Sequence, residues 1–376
     1  MKQNKVLLMV VNVDWLFLLH RVEFAREALN RGWKVIIAAK NTGKAGEIEK
    51  QGFEFVNIDI SRSGTNLFKE IITLISLWWL YIKVRPNMVY QVTMKPVIYG
   101  TLGARILGIP TLNAISGLGY NFTNERKGRV QNIMIKMMRY GFNKKINSLI
   151  FENDEDCQEL KNLNIINHKN TVKVIKGIGV DLNKFKPIET PAIEKIKVLL
   201  PTRMLWDKGV KEFVEAALLL EKEYKGIVKF VLCGRLDHEN KEGVPLEYLT
   251  KHQIPGYLEW IGSQEDMITQ YKDAAIVVLP SYREGLPVVL MEACAMGKPI
   301  VTTDAIGCKE CVEEGLNGYK VPVKSVKELA HAIEKLIKDP KLREAMGEYA
   351  RQKAEKEFDK SVIVKLHLSL CDKLLK

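Results

Sequence analysis

Residues 275–303 read AIVVLPSYREGLPVVLMEACAMGKPIVTT. An apolar run from Ala275 to Leu279 stops at Pro280, and a polar loop carrying Gly285 follows. A second apolar run from Val288 has helical character and stops at Gly297. Pro299–Thr303 is again short, apolar and β-branched. Strand, turn, helix and strand in so short a stretch predict one β–α–β unit. Parallel strands need such a crossover, and strands this uniformly apolar are covered by helices on both faces.

The same rhythm recurs outward in both directions. Lys197–Leu200, Val228–Cys233 and Leu258–Ile261 read as strands, and Val210–Tyr224 as a helix. Earlier come a strand Val6–Val13, an amphipathic helix Leu18–Arg31 closed by Gly32, and strands Val35–Ala39 and Met88–Val92. A helical run to Leu107 and a strand from Thr111 follow. The rhythm pauses at the glycine-bearing turn Lys176–Asp181 and at residues 186–195, which hold two prolines;. We therefore expect an α/β chain of two Rossmann-like, doubly wound domains facing a cleft, residues 1–178 and 179–376. The second takes in a helical tail, Leu329–Lys376, broken at Asp339-Pro340. Ligands of such sheets lie beyond the strand C-termini.

Composition agrees. A chain of 376 residues exceeds one hydrophobic core, and 47% apolar with 27% charged residues is ordinary for a globular protein;. No repeat period is visible. Residues 1–180 hold 26 Lys and Arg against 14 Asp and Glu, the whole of the +12 net charge; residues 181–376 hold 31 of each. A basic half attracts nucleic acid, anionic lipid or a phosphorylated substrate. No nucleic-acid motif accompanies the charge, so no nucleic-acid partner is expected. Cys157, Cys233, Cys294, Cys308, Cys311 and Cys371 form no dense framework, which points to free thiols in a reducing compartment;. Val6–Val13 lacks a cleavage site and reads as a strand rather than a signal peptide;. The most hydrophobic segment, Ile71–Ile82, falls short of the about 20 residues that span a bilayer, and its Trp78 and Trp79 are expected in the core;.

Two strand-to-helix junctions carry the chemistry. In the first, Arg203 follows a strand and Lys208 precedes the helix from Val210. Two fixed cations beside a helix start suit a diphosphate leaving group. In the second, Glu284 sits in the loop and Glu292 eight residues on, inside the helix. Backbone N–H groups there can bind phosphate oxygens, and carboxylates accept several hydrogen bonds from sugar or ribose hydroxyls. Two glutamates alone would read as a solvated pair; the loop and Pro287, suited to the first helical position, turn them toward a ligand.

Arg203-x4-Lys208 together with Glu284-Gly-x6-Glu292 resembles retaining glycosyltransferase family 4, of the GT-B fold. The stretches 93–100, 115–120 and 204–213 resemble its subgroup that builds capsule, O-antigen and N-glycan precursors. The resemblance implies a UDP-sugar donor in the C-terminal domain, an undecaprenyl-diphosphate-linked saccharide acceptor on the N-terminal domain, and no metal or other cofactor. It gives Arg203, Lys208 and Glu284 catalytic roles. It gives Gly234, Arg235, Gly262, Gly285, Leu286, Pro287 and Glu292 to the donor, with Trp260 bordering the base. Many members carry a His after the strand matching Met88–Val92; here Thr93-Met94-Lys95 stands instead, so a catalytic His is not carried over and Lys95 is the candidate. His20, Arg21, Gly117 and Gly119 are further acceptor-side candidates.

The basic half has one further candidate. Within residues 125–145, Arg126, Lys127, Arg129, Lys136 and Arg139 interleave with Ile133, Met134, Met137 and Met138, a pattern suited to an anionic membrane surface;. The expected place is the inner face of a bacterial inner membrane. A nucleotide-sugar epimerase or a phosphorylase would use the same fold.

Overall fold

The computed structural model describes residues 5–60, 67–118, 129–188, 195–237 and 240–375, with backbone only for Leu67, Arg129 and Val130. The chain forms two compact units: residues 1–178 with 361–376, and residues 179–360. The sequence placed the tail with the second domain. Its last helix, Lys360–Leu374, instead buries Ile363, Leu368 and Leu370 in the core of the first unit.

Among the described residues the first unit holds seven parallel strands: β1 Val6–Val13, β2 Lys34–Lys40, β3 Glu54–Asn57, β4 Met88–Val92, β5 Thr111–Ile115, β6 Asn147–Phe151 and β7 Thr171–Val174. Their order is β3-β2-β1-β4-β5-β6-β7. β4, β5 and β6 are buried along their whole length, as parallel strands covered on both faces must be;. The second unit holds six: β8 Ile196–Pro201, β9 Val228–Cys233, β10 Leu258–Trp260, β11 Ile276–Leu279, β12 Ile300–Thr303 and β13 Gly318–Val321. Their order is β10-β9-β8-β11-β12-β13, again all parallel. Both sheets are doubly wound, each reversing direction beside its first strand.

One expected helix is two. The stretch 18–31 breaks at Arg21, giving Asp14–His20 and Val22–Asn30. Arg21 leaves helical geometry (φ −128°, ψ −2°), and its side chain is 4% exposed, with the guanidinium over the Tyr90 ring and 3.9 Å from Glu152. His367, from the last helix, packs beside Tyr90 and Phe24. Burial, and then the charge of Arg21, push its imidazole down to about 3, so it sits there neutral;.

Candidate functional site

In the second unit the strand order reverses between β8 and β11, which lie side by side. The crossovers leaving them run to opposite sides and open a crevice above their C-termini. The loop 202–209 follows β8, and the loop 280–287 follows β11. Two glycines, Gly209 in the first loop and Gly307 in the loop after β12, let neighbouring backbone approach the second loop closely. Gly209 has φ +74°, and a Cβ there would collide with the Pro280 carbonyl. Gly307 has φ +85°, and a Cβ there would collide with the Glu284 carbonyl group. The N–H groups of Tyr282 and Glu284 donate to Asp207 O and Ile306 O, both at 2.9 Å. The loop bearing Glu284 is therefore pinned from two sides.

This pinning brings the predicted cation and carboxylate together. Lys208 Nζ lies 2.6 Å from Glu284 Oε1, with side chains 12% and 18% exposed. Burial disfavours the ammonium, but Glu284 and Asp207 outweigh it and hold Lys208 above its ordinary range. Burial pushes the neighbouring Asp207 carboxyl up, against the pull of Lys208, and its Oδ1 has no hydrogen-bond partner. Arg203 donates from Nη1 to Asp237 Oδ2 at 2.7 Å. Two cations and their counter-carboxylates thus stand at one switch point.

Helix Val288–Ala295 starts at Val288 as the sequence suggested, but Pro287 stands just outside it, with extended ψ of 116°, rather than at its first position. Either position spares a prolyl N–H. Leu286 and Pro287 are buried and Gly285 half-buried. Glu292 lies in the second turn of this helix, where its Oε2 accepts 2.8 Å from the Tyr271 hydroxyl. Burial raises its carboxyl to about 7, while the bond from Tyr271 works in the other direction. At the ends of β9 and β10, Gly234 N–H donates to Gly262 O at 2.8 Å and Trp260 Nε1 to Gly234 O at 2.9 Å. Arg235 is exposed.

Sequence reasoning missed Asp207, Asp237, Tyr271 and Gly307. Asp207 adjoins Lys208 and was in view. The other three come from different loops and a different helix, and only the fold brings them to the switch point.

The first unit has its own switch point, between β1 and β4. Thr93, directly after β4, has φ +72°, a left-handed conformation that a β-branched residue adopts only under constraint;. Its Oγ1 is buried without a hydrogen-bond partner among the described residues. Lys95 pairs with Glu70 at 2.6 Å, and Tyr99 donates to the same carboxylate at 2.8 Å. Asp14, at the end of β1, accepts from the N–H groups of Thr42 and Lys44 at 2.6 and 3.0 Å. Burial opposes its charge, but the bond from the Thr42 hydroxyl, followed by these N–H groups, wins and holds its carboxyl below the usual range. Gly117 follows β5 with φ +100°. His20 is half-buried beside Arg21, whose burial keeps its own guanidinium inside the unit.

Gly119, Arg126 and Lys127 lie outside the described residues, and Arg129 is described by its backbone only. In helix Arg129–Phe142, Ile135, Met138 and Phe142 face inward and Lys136 is exposed. Arg139 folds back to donate twice to Leu163 O, at 2.9 and 2.7 Å. Trp78 and Trp79 divide: Trp78 is half-buried and donates to Tyr99 O at 3.2 Å, whereas Trp79 is 61% exposed. Core burial was expected for both. Trp79 sits on the outer face of helix Leu67–Val84, on the same side as the exposed Ile72, Ile75 and Ile82.

Asp154 and Asp156 open helix Asp154–Asn162; Asp156 is buried, and its Oδ2 accepts 3.1 Å from Asn153 Nδ2. Among the described residues no group of three His, Cys, Asp or Glu is placed to hold a metal ion. All six cysteines are free and buried.

Two family models match the chain. "Glycosyl transferases group 1" covers residues 181–353 and "Glycosyl transferase 4-like" residues 5–153. The chain belongs to the group 1 and family-4-like glycosyltransferases, on the GT-B fold. An N,N'-diacetylbacillosaminyl-diphospho-undecaprenol alpha-1,3-N-acetylgalactosaminyltransferase of Campylobacter jejuni is 28% identical over 371 residues, 95% of each chain. A UDP-Gal:alpha-D-GlcNAc-diphosphoundecaprenol alpha-1,3-galactosyltransferase of Escherichia coli is 26% identical, over 78% of this chain and 77% of its own. Sucrose-phosphate synthase of Thermosynechococcus elongatus superposes over 99% of both chains with a TM-score of 0.81 and 16% identity. Anabaena HepE in complex with UDP-glucose covers 98% of this chain and 99% of its own, with a TM-score of 0.78 and 17% identity.

Proposed function

We propose that this glycosyltransferase moves a hexose or N-acetylhexosamine from a UDP-sugar to a saccharide on undecaprenyl diphosphate, with retention at the anomeric carbon, in bacterial surface-glycan assembly. The second unit takes the donor and the first the acceptor. One observation carries the donor half: Lys208 and Glu284 meet at 2.6 Å at the switch point of the second sheet. A polyanion beside a polyol needs that pairing. When diphosphate arrives, it competes for Lys208 and releases Glu284 to accept from the sugar hydroxyls. Arg203, held by Asp237, supplies the second cation. As the glycosidic bond breaks, negative charge grows on the departing diphosphate, and preorganised cations lower that barrier. Glu292, braced by Tyr271, accepts from the ribose, and Gly234, Trp260 and Gly262 border the base.

For the acceptor half, support comes from the Campylobacter and Escherichia relatives, whose acceptors are diphospho-undecaprenol sugars. Thr93, Lys95 and His20 are the residues we assign to that side, with Gly117. The reaction as drawn uses no metal. Peripheral attachment to the inner leaflet follows from such an acceptor.

The test is UDP release with a panel of UDP-sugars and extracted lipid-linked acceptors, run on the wild type and on Lys208→Ala. We expect the variant to lose about 100-fold or more in turnover, as when a transition-state donor is removed. Near-normal turnover would remove the diphosphate assignment.

A further inference from the structure

Helix Leu67–Val84 shows two faces. Inward, Leu77, Leu80 and Tyr81 join Leu8, Val10 and Val89 in the core of the first unit. Outward, it exposes Phe68, Ile71, Ile72, Ile75, Trp79 and Ile82, from 46% to 79% accessible. Their spacing puts them on one stripe, roughly 21 Å long at the rise of an α-helix. Large apolar side chains gathered so densely mark a contact surface rather than scattered surface residues.

We propose that this stripe lies in the interface of an anionic bilayer, parallel to its plane. The proposal rests on the lipid-linked acceptor of the previous section and moves the membrane contact from residues 125–145 to this helix. Charge and residue type favour lipid over a second copy of the chain. The helix carries one acid, Glu70, and it is turned inward to Lys95 and Tyr99. Its other charged residues, Lys69 and Lys83, are exposed, as is Arg85 directly after it. The exposed charges of the helix itself are thus all basic, and the one exposed acid bonded to it from outside, Asp59, is paired with Lys40 at 3.6 Å, so the stripe and its margin suit negative headgroups;. Phe68 and Trp79 stand near the two ends of the stripe with isoleucines between, and Lys83 lies 5.1 Å over the Trp79 ring. Tryptophan and lysine together are the residue types that settle at headgroup depth. No helix among the described residues is long and apolar enough to cross a membrane, so this one lies on the surface.

The experiment is co-flotation of the full chain with vesicles of phosphatidylglycerol and phosphatidylcholine, and with phosphatidylcholine alone. Ile72→Glu/Ile75→Glu should reduce partitioning by about 100-fold or more, since two apolar anchors become charges. Lys69→Glu/Lys83→Glu should reduce it by about tenfold or more on anionic vesicles only. Both pairs are exposed, so circular dichroism and UDP release with a water-soluble acceptor should match the wild type. Lys208→Ala should float like the wild type, which separates failure of this proposal from failure of the donor site. Wild-type flotation unaffected by the isoleucine pair overturns the proposal. So does a wild-type chain that ignores both vesicles and sediments as a dimer, which the same pair converts to monomer.

Discussion

The two sheets are wound alike, β3-β2-β1-β4-β5-β6 in one and β10-β9-β8-β11-β12-β13 in the other, yet their switch points hold different chemistry. The second gathers charge: Lys208 against Glu284 and Arg203 against Asp237, on loops pinned by glycines. The first stores backbone strain at Thr93 and directs Lys95 to a neighbouring helix. Winding therefore fixes where a ligand sits, while the loops decide which ligand it is. Charges held in fixed pairs suit a small polyanion.

Three tests probe that contrast, beginning with the largest effect. Gly307→Ala drives a methyl into the Glu284 carbonyl and displaces the carboxylate from Lys208. We expect turnover to fall about 100-fold, the usual cost of a misplacement near 1 Å. Donor kinetics together with a melting curve would separate this from loss of fold.

The second concerns Glu292, whose carboxyl is pushed up to about 7 by burial. In the role proposed for it, the carboxylate is a stronger acceptor for ribose hydroxyls than the protonated acid, so UDP affinity should rise several-fold to about tenfold between pH 6 and 8. Glu292→Gln should flatten that rise, and Tyr271→Phe should move its midpoint upward by removing the bond that favours the carboxylate. Titration calorimetry of UDP reads both. The stability sign is opposite. The folded carboxyl holds its proton more tightly than the ordinary value of 4.5, so this group makes the protein less stable as pH rises from 4.5 to about 7;. Thermal melts of the wild type against Glu292→Gln should show that slope.

The smallest effect belongs to the first unit. Asparagine tolerates left-handed backbone better than threonine, so Thr93→Asn should raise stability by about 0.5–1 kcal/mol. Donor affinity should not change. A stability gain accompanied by a higher acceptor KM would tie the strain to acceptor binding.

Much of this architecture was legible because buried parallel strands read as continuous apolar runs. β1, β4, β9 and the helix Val210–Tyr224 have the very limits expected of them. β6 escaped notice because it opens with Asn147 and Ser148, polar residues that are buried in the sheet. The break at Arg21 also left no trace, since it serves a buried contact with Tyr90. In the site, residues at strand-to-helix junctions announced themselves. Tyr271 and Asp237 did not, because nothing local distinguishes a partner that arrives through space. Trp79 shows a further limit: hydrophobicity says that a side chain avoids water, and not whether protein or lipid shields it.

The second unit begins and ends at a single seam. Val180 N–H donates to Phe358 O, and Lys360 N–H returns the bond to Val180 O, at 2.8 and 3.1 Å. Residues 179–360 thus form a closed loop of sequence, a cassette whose gene fragment encodes a body with its own finished core. The first unit has no such independence: a message cut short after residue 360 would yield it without the helix that plugs its interior.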